Sequence, residues 1–107
     1  MTRLTTHVLD AASDDPAASV AVALTSSTGE VLGTGTTDTD GRLAIGPEQL
    51  SRGVYTLTFS TGEYFAARGT ASFHPLVAVT FTVSDEDRHH HVPLLLSPFA
   101  YSTYRGS

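Results

Sequence analysis

Apolar and polar residues alternate with a period of two along most of the chain, the spacing of strands whose successive side chains point to opposite faces. In the first such run, Leu4 to Leu9, Leu4, Thr6 and Val8 share one face and Thr5, His7 and Leu9 the other. Val20, Val22 and Leu24 stand opposite alanines, and Ser26 to Gly29 turns that strand into Val31 to Gly35, which reads as a hairpin. Tyr55, Leu57 and Phe59 alternate with Thr56 and Thr58 between Val54 and Ser60, and Val77, Val79, Phe81 and Val83 repeat the pattern after Pro75. Leu43 to Ile45 is a brief strand between the polar turn of Thr37 to Arg42 and Gly46-Pro47, and Phe99 to Tyr104 is a last one beyond Ser97-Pro98. Asp10 to Ala18 reads as a loop. Only Thr61 to Gly69 loses the period of two; it carries an N-cap-type threonine, ends at a glycine and predicts one short helix.

The segment from His89 departs from simple alternation. Val92, Leu94 and Leu96 occupy one face, but His91, Pro93 and Leu95 make the other face apolar too. An antiparallel sandwich keeps its outer face polar where water meets it, so this face is expected to be covered, in a chain this small by another subunit. The pattern predicts an all-β sandwich of seven or eight strands with one short helix, and the 107 residues predict a single domain spanning 1–107.

Composition narrows the chemistry. All six basic residues are scattered arginines set against eleven acidic ones, a net charge of −5, so the basic patch that nucleic-acid binding needs is missing and no nucleic-acid partner is expected. With neither lysine nor cysteine, a Schiff-base amine, a thiol nucleophile and a thiolate metal site are all excluded. No run approaches the ~20 apolar residues of a membrane span. Met1-Thr2-Arg3 leads straight into an alternating segment rather than a signal core, and Arg105-Gly106-Ser107 is no peroxisomal address, so a cytoplasmic protein with no membrane partner is expected.

Histidine, arginine, hydroxyl and carboxylate groups remain as candidates. His7 should point out of the sandwich, opposite the core residues of its strand. His89-His90-His91 invites a metal reading, with His89 and His91 on one face, His90 on the other and His7 as a conceivable third ligand. The alternative is a solvated strand start, which accounts for His89 and His90 better than for His91, since His91 lies in line with Pro93 and Leu95. Asp38-Thr39-Asp40-Gly41 opens like a calcium loop but has no glutamate to close it, and reads as a turn. Arg42 behind that turn matters if the turn faces the histidines. Asp14-Asp15 and Asp85-Glu86-Asp87 read as solubilising loops, and His74 before Pro75 as structural or exposed. No nucleophile elbow, phosphate loop or dinucleotide fingerprint is present.

Three segments converge on a known family: Leu4-Thr5-Thr6-His7-Val8-Leu9-Asp10, Thr37-Asp38-Thr39-Asp40-Gly41-Arg42, and His89-His90-His91-Val92-Pro93-Leu94-Leu95-Leu96-Ser97-Pro98 running into Tyr101-Ser102-Thr103-Tyr104-Arg105-Gly106-Ser107. Together they resemble the transthyretin-related family on its 5-hydroxyisourate hydrolase side, whose signature is the terminal Tyr-Arg-Gly-Ser. The resemblance covers essentially the whole chain. It implies a transthyretin-like sandwich assembling as a homotetramer, a dimer of dimers with active sites in a channel between them. It further implies a metal-independent, cofactor-free hydrolase of urate degradation acting on the small molecule 5-hydroxyisourate. Carried over by motif, the catalytic set is His7, Arg42 and His91, and Tyr104, Arg105, Gly106 and Ser107 are substrate-binding. Hormone-carrying transthyretins share the fold and the Leu-Leu-Ser-Pro stretch but lack the histidine pair, this arginine and the Tyr-Arg-Gly-Ser ending. A tetramer that binds a small ligand without turnover is the alternative reading. The chain departs from the family at His90 and at His74, where an aromatic residue is usual.

Overall fold

The computed structural model describes residues 4–106. Within them the chain forms strands β1 (Leu4–Asp10), β2 (Asp15–Pro16), β3 (Ala21–Ser26), β4 (Val31–Thr36), β5 (Arg42–Ala44) and β6 (Gly53–Phe59). Helix α1 (Thr61–Ala67) follows, and then β7 (Val77–Val83), β8 (His90–Leu96) and β9 (Tyr101–Thr103). The sandwich with one short helix is as expected. The strand count rises to nine because the segment read as a loop between Asp10 and Ala18 contains the two-residue β2, held against the end of β1 at Leu9 and Asp10.

Two sheets face each other. One runs β2-β1-β8-β9, with β5 also paired to β1; the other runs β4-β3-β6-β7 and is antiparallel throughout. In the first sheet β1 and β8 run parallel, in register from Leu4 beside His90 to Asp10 beside Leu96. The inward residues fill the space between the sheets: Leu4, Val8, Leu94 and Leu96 from one, Val22, Leu24, Leu57, Phe59, Val77 and Val83 from the other. These are the residues the alternation assigns to the core, because a strand with one buried face must repeat every second position.

Buried polar groups are few and paired. The Thr6 hydroxyl donates to the Val92 carbonyl at 2.6 Å and locks β1 to β8 from within the core. The Thr37 hydroxyl donates to the Ala17 carbonyl at 2.7 Å and accepts from the Val20 amide at 2.9 Å. The Tyr64 hydroxyl on α1 donates to Asp10 Oδ2 at 2.9 Å and ties the helix to the end of β1. Burial, reinforced by that bond to Asp10, pushes the Tyr64 phenol up to about 12. Among the described residues no buried side-chain nitrogen or oxygen lacks a partner.

The helix start differs in detail from the sequence reading. Ser60 is the N-cap and its side chain makes no capping bond, while Thr61 is already helical and donates its hydroxyl to the His74 carbonyl at 3.3 Å. Its threonine thus anchors the following loop rather than the helix end.

Candidate active site

The register of three strands builds the site. Residues side by side on neighbouring strands share a face of the sheet, as do residues two apart on one strand. β1 pairs with β5 so that His7 lies beside Arg42, and with β8 so that Thr5 lies beside His91. His7, Arg42 and His91, far apart in sequence, therefore meet on the outer face of the first sheet, around Thr5. His90, beside Leu4, falls on the core side instead, and desolvation followed by the Arg88 charge lowers its pKa.

Arg42 and His7 are set by the turn between β4 and β5. Asp38 Oδ1 accepts from the amides of Asp40 and Arg42, both at 2.9 Å, and the Gly41 amide donates to the Asp38 carbonyl at 2.9 Å. The motif that opens like a calcium loop thus spends its leading carboxylate on its own backbone, as an aspartate-closed turn. Gly41 has φ +74°, and a Cβ there would collide with the Val8 carbonyl oxygen. Its carbonyl accepts from the Val8 amide at 2.7 Å, which stitches the turn onto β1. His7 Nε2–H donates to the Asp40 carbonyl at 3.0 Å, a bond that commits that nitrogen to the protonated form and leaves Nδ1 available. The Arg42 side chain is exposed, and no carboxylate among the described residues pairs with its guanidinium.

His91 is held from both sides. On the β1 side its Nδ1 lies 2.8 Å from Thr5 Oγ1, which also lies 2.9 Å from His89 Nε2. On the open edge of β8 the chain returns after β9, and the Gly106 amide donates to the His91 carbonyl at 2.9 Å. A Cβ at position 106 would stand 2.5 Å from His91 Cδ2, so the missing side chain of Gly106 is the space in which the imidazole sits. Desolvation, then the neighbouring His89, Arg42 and His7, lower the His91 pKa, and the Thr5 backbone opposes this. Its neutral form is favoured.

An open hollow of about 550 Å³ lies over this face, with Thr5, Asp38, Arg42, His89 and His91 in its wall. His7 is not part of that wall; it stands beside Arg42 on the neighbouring strand. A second hollow of about 260 Å³ lies on the other side of His91, lined by Phe81, Arg88, Tyr104, Arg105 and Gly106. Tyr104, Arg105 and Gly106, expected to line the same pocket as Arg42, instead line this second hollow and flank His91 on the side away from Arg42. Ser107 lies outside the described residues.

His89 and His91 do share a face, as alternation requires, with ring centroids 6.3 Å apart. His89 is more than a solvated strand start, because it is bonded to Thr5. Nothing in the strand pattern singled out Thr5, since the parallel pairing that sets it between two histidines is invisible in either strand alone. Among the described residues no three histidine or carboxylate side chains are gathered as a metal site, and His7 Nε2 faces the turn. His74 is half-buried between the rings of Phe73 and Tyr101, at 4.9 and 5.0 Å.

Comparison with known proteins places these features. A 5-hydroxyisourate hydrolase of Caulobacter vibrioides is 46% identical over 115 residues, covering 100% of both chains. The structure of Klebsiella pneumoniae 5-hydroxyisourate hydrolase superposes with a TM-score of 0.89 at 39% identity, covering 97% of this chain and 98% of that one. Sea bream transthyretin in complex with thyroxine superposes equally well, at 0.89, with 35% identity and 97% and 94% coverage. The backbone alone therefore does not separate a hydrolase from a thyroxine-bound transthyretin. The family model described as HIUase/Transthyretin family matches residues 4–106, and the chain belongs to that family.

Proposed function

We propose that this protein hydrolyses 5-hydroxyisourate to 2-oxo-4-hydroxy-4-carboxy-5-ureidoimidazoline, using His91, His7 and Arg42. Full-length relatives named 5-hydroxyisourate hydrolase support the activity. The observation that carries the mechanism is the meeting of two imidazoles and an exposed guanidinium on one sheet face.

Water needs a base to attack a ring carbonyl near neutral pH, and an imidazole with an ordinary pKa of about 6.5 supplies one. His91 serves as the base, because its lowered pKa keeps it in the neutral, proton-accepting form. With Nδ1 turned to Thr5, its Nε2 takes a proton from water as the oxygen bonds to the acyl carbon. The carbonyl oxygen gains negative charge, and the Arg42 guanidinium donates to it. The carbon–nitrogen bond then breaks, the carbonyl re-forms as a carboxyl group, and the ring nitrogen receives the proton held by His91. One water is consumed and both histidines end as they began. His7, its Nε2–H bound to Asp40, presents Nδ1 to a substrate N–H and holds the ring in place. No step calls for a metal or a cofactor.

Residues 1–107 act on this reading as one domain, in the cytoplasm by its composition, and as a homotetramer. The assembly is supported by half-buried Leu95 on the outer face of β8 and by exposed Phe73, Leu76, Phe99 and Tyr101, whereas Pro93, the other apolar outer position, is already buried within the single chain. A second copy lying over the first sheet would close the open hollow.

The test generates 5-hydroxyisourate in situ from urate with urate oxidase and follows its ultraviolet absorbance in the presence of chelator. Decay faster than the spontaneous rate is expected. Spontaneous decay with a folded protein, together with saturable uptake of a planar ligand, would favour a carrier instead.

A further inference from the structure

We propose that Thr5 and His89 are positioning residues that fix the tautomer of His91, leaving its Nε2 unprotonated and able to act as the base. The inference rests on the reading of His91 given above and adds two residues to it. The Thr5 hydroxyl lies between two imidazoles, 2.8 Å from His91 Nδ1 and 2.9 Å from His89 Nε2. A threonine hydroxyl has one proton, so it donates to one imidazole only. For His91 Nε2 to accept a proton from water, the neutral ring must carry its own proton on Nδ1. That N–H then donates to Thr5 Oγ1, and the Thr5 proton turns to His89 Nε2, whose ring carries its proton on Nδ1. In the reverse arrangement His91 carries its proton on Nε2 and is no base at that atom. Which nitrogen is protonated is set by the bond the other makes, and here the partner of that bond is itself set by His89.

The backbone makes the arrangement rigid. Thr5 is beside His91 in the parallel ladder, the neighbouring Thr6 hydroxyl is clamped to the Val92 carbonyl at 2.6 Å, and Gly106 closes the other side of the ring. The imidazole thus has little room to rotate away from Thr5. His89 itself is exposed and lies just before β8, so core packing does not account for its contact with Thr5.

The experiment records the imidazole nitrogen resonances of uniformly ¹⁵N-labelled protein at a pH above the titration of the rings, alongside turnover of 5-hydroxyisourate. In the unsubstituted protein His91 should show the Nδ1–H pattern. Thr5→Val, which keeps the shape and removes the hydroxyl, should shift His91 toward Nε2–H and lower kcat by roughly 10–10²-fold with KM little changed, the signature of a lost general base. Thr5→Ser should restore both the tautomer and the rate. His89→Gln, whose carbonyl can accept the Thr5 proton, should retain more activity than His89→Leu. An Nε2–H pattern in the unsubstituted protein, or an unchanged Nδ1–H pattern in folded Thr5→Val, would overturn the tautomer lock. A tautomer that moves as expected while kcat does not would instead overturn His91 as the base.

Discussion

At the scale of single residues the proposed turnover depends on a histidine that stays neutral. A base whose pKa is lowered keeps its lone pair as the pH falls, so it is lost only when the pH drops through that lowered value. The acid limb of the kcat/KM profile should accordingly lie below the ordinary imidazole value of about 6.5, and a limb at or above it would contradict the desolvated, cation-flanked His91. Gly106 offers a second test. Because a Cβ there would stand 2.5 Å from His91 Cδ2, Gly106→Ala must push the ring aside. Misplacement by about 1 Å costs on the order of 10²-fold. Activity should fall by about that much in a protein that still folds and melts cooperatively. His7 and His91 stand out in the sequence through alternation and the family motif together, whereas Arg42 stands out through the motif alone, because an arginine behind a polar turn carries no signal of its own. Thr5 and His89 were legible only as neighbours on a face, since their shared hydrogen bonds come from the pairing of two strands more than 80 residues apart.

Among the elements, the turn before β5 has the largest effect on the site for its size. It sets Arg42, accepts the hydrogen bond from His7 Nε2–H and is sewn onto β1 at Val8, and all of this requires a left-handed residue with no side chain at position 41. Gly41→Ala should cost about 1–3 kcal/mol, read as a lower melting temperature, and should also reduce turnover. An unchanged melting curve would mean that the turn does not have this conformation. Strands with one buried face, such as β6 and β7, were read almost to the residue, because burial every second position leaves a strong periodic signal. The two-residue β2 left no such signal: Asp15 and Pro16 are both exposed and owe their strand geometry to the end of β1 alone. The helix was found from its broken period and its closing glycine, but its cap was misassigned, since the role of Thr61 is decided by the His74 carbonyl thirteen residues away.

For the whole molecule, one sandwich serves two kinds of relative, a hydrolase and a thyroxine-bound transthyretin, with the same TM-score. The core specifies the scaffold, and on the proposed reading a few side chains on the outer face of β1, β5 and β8 supply the chemistry. Exposed Phe73 and Phe99, 72% and 67% accessible in the isolated chain, are costly for a monomer in water. Light scattering should therefore return four times the 11.3 kDa chain mass, and a monodisperse monomer would contradict the proposed assembly. The proposed assembly rests in the sequence on the apolar outer face of β8 alone, and one chain's pattern does not say what covers such a face: Pro93 is buried within the chain itself, while Leu95 is half-buried. The most direct test of the central claim is the rate at which folded His7→Ala and His91→Ala proteins consume freshly generated 5-hydroxyisourate. The account predicts a loss of roughly 10²–10⁴-fold for His91→Ala, the usual contribution of a general base, and a marked loss for His7→Ala. Full turnover by either protein would contradict it.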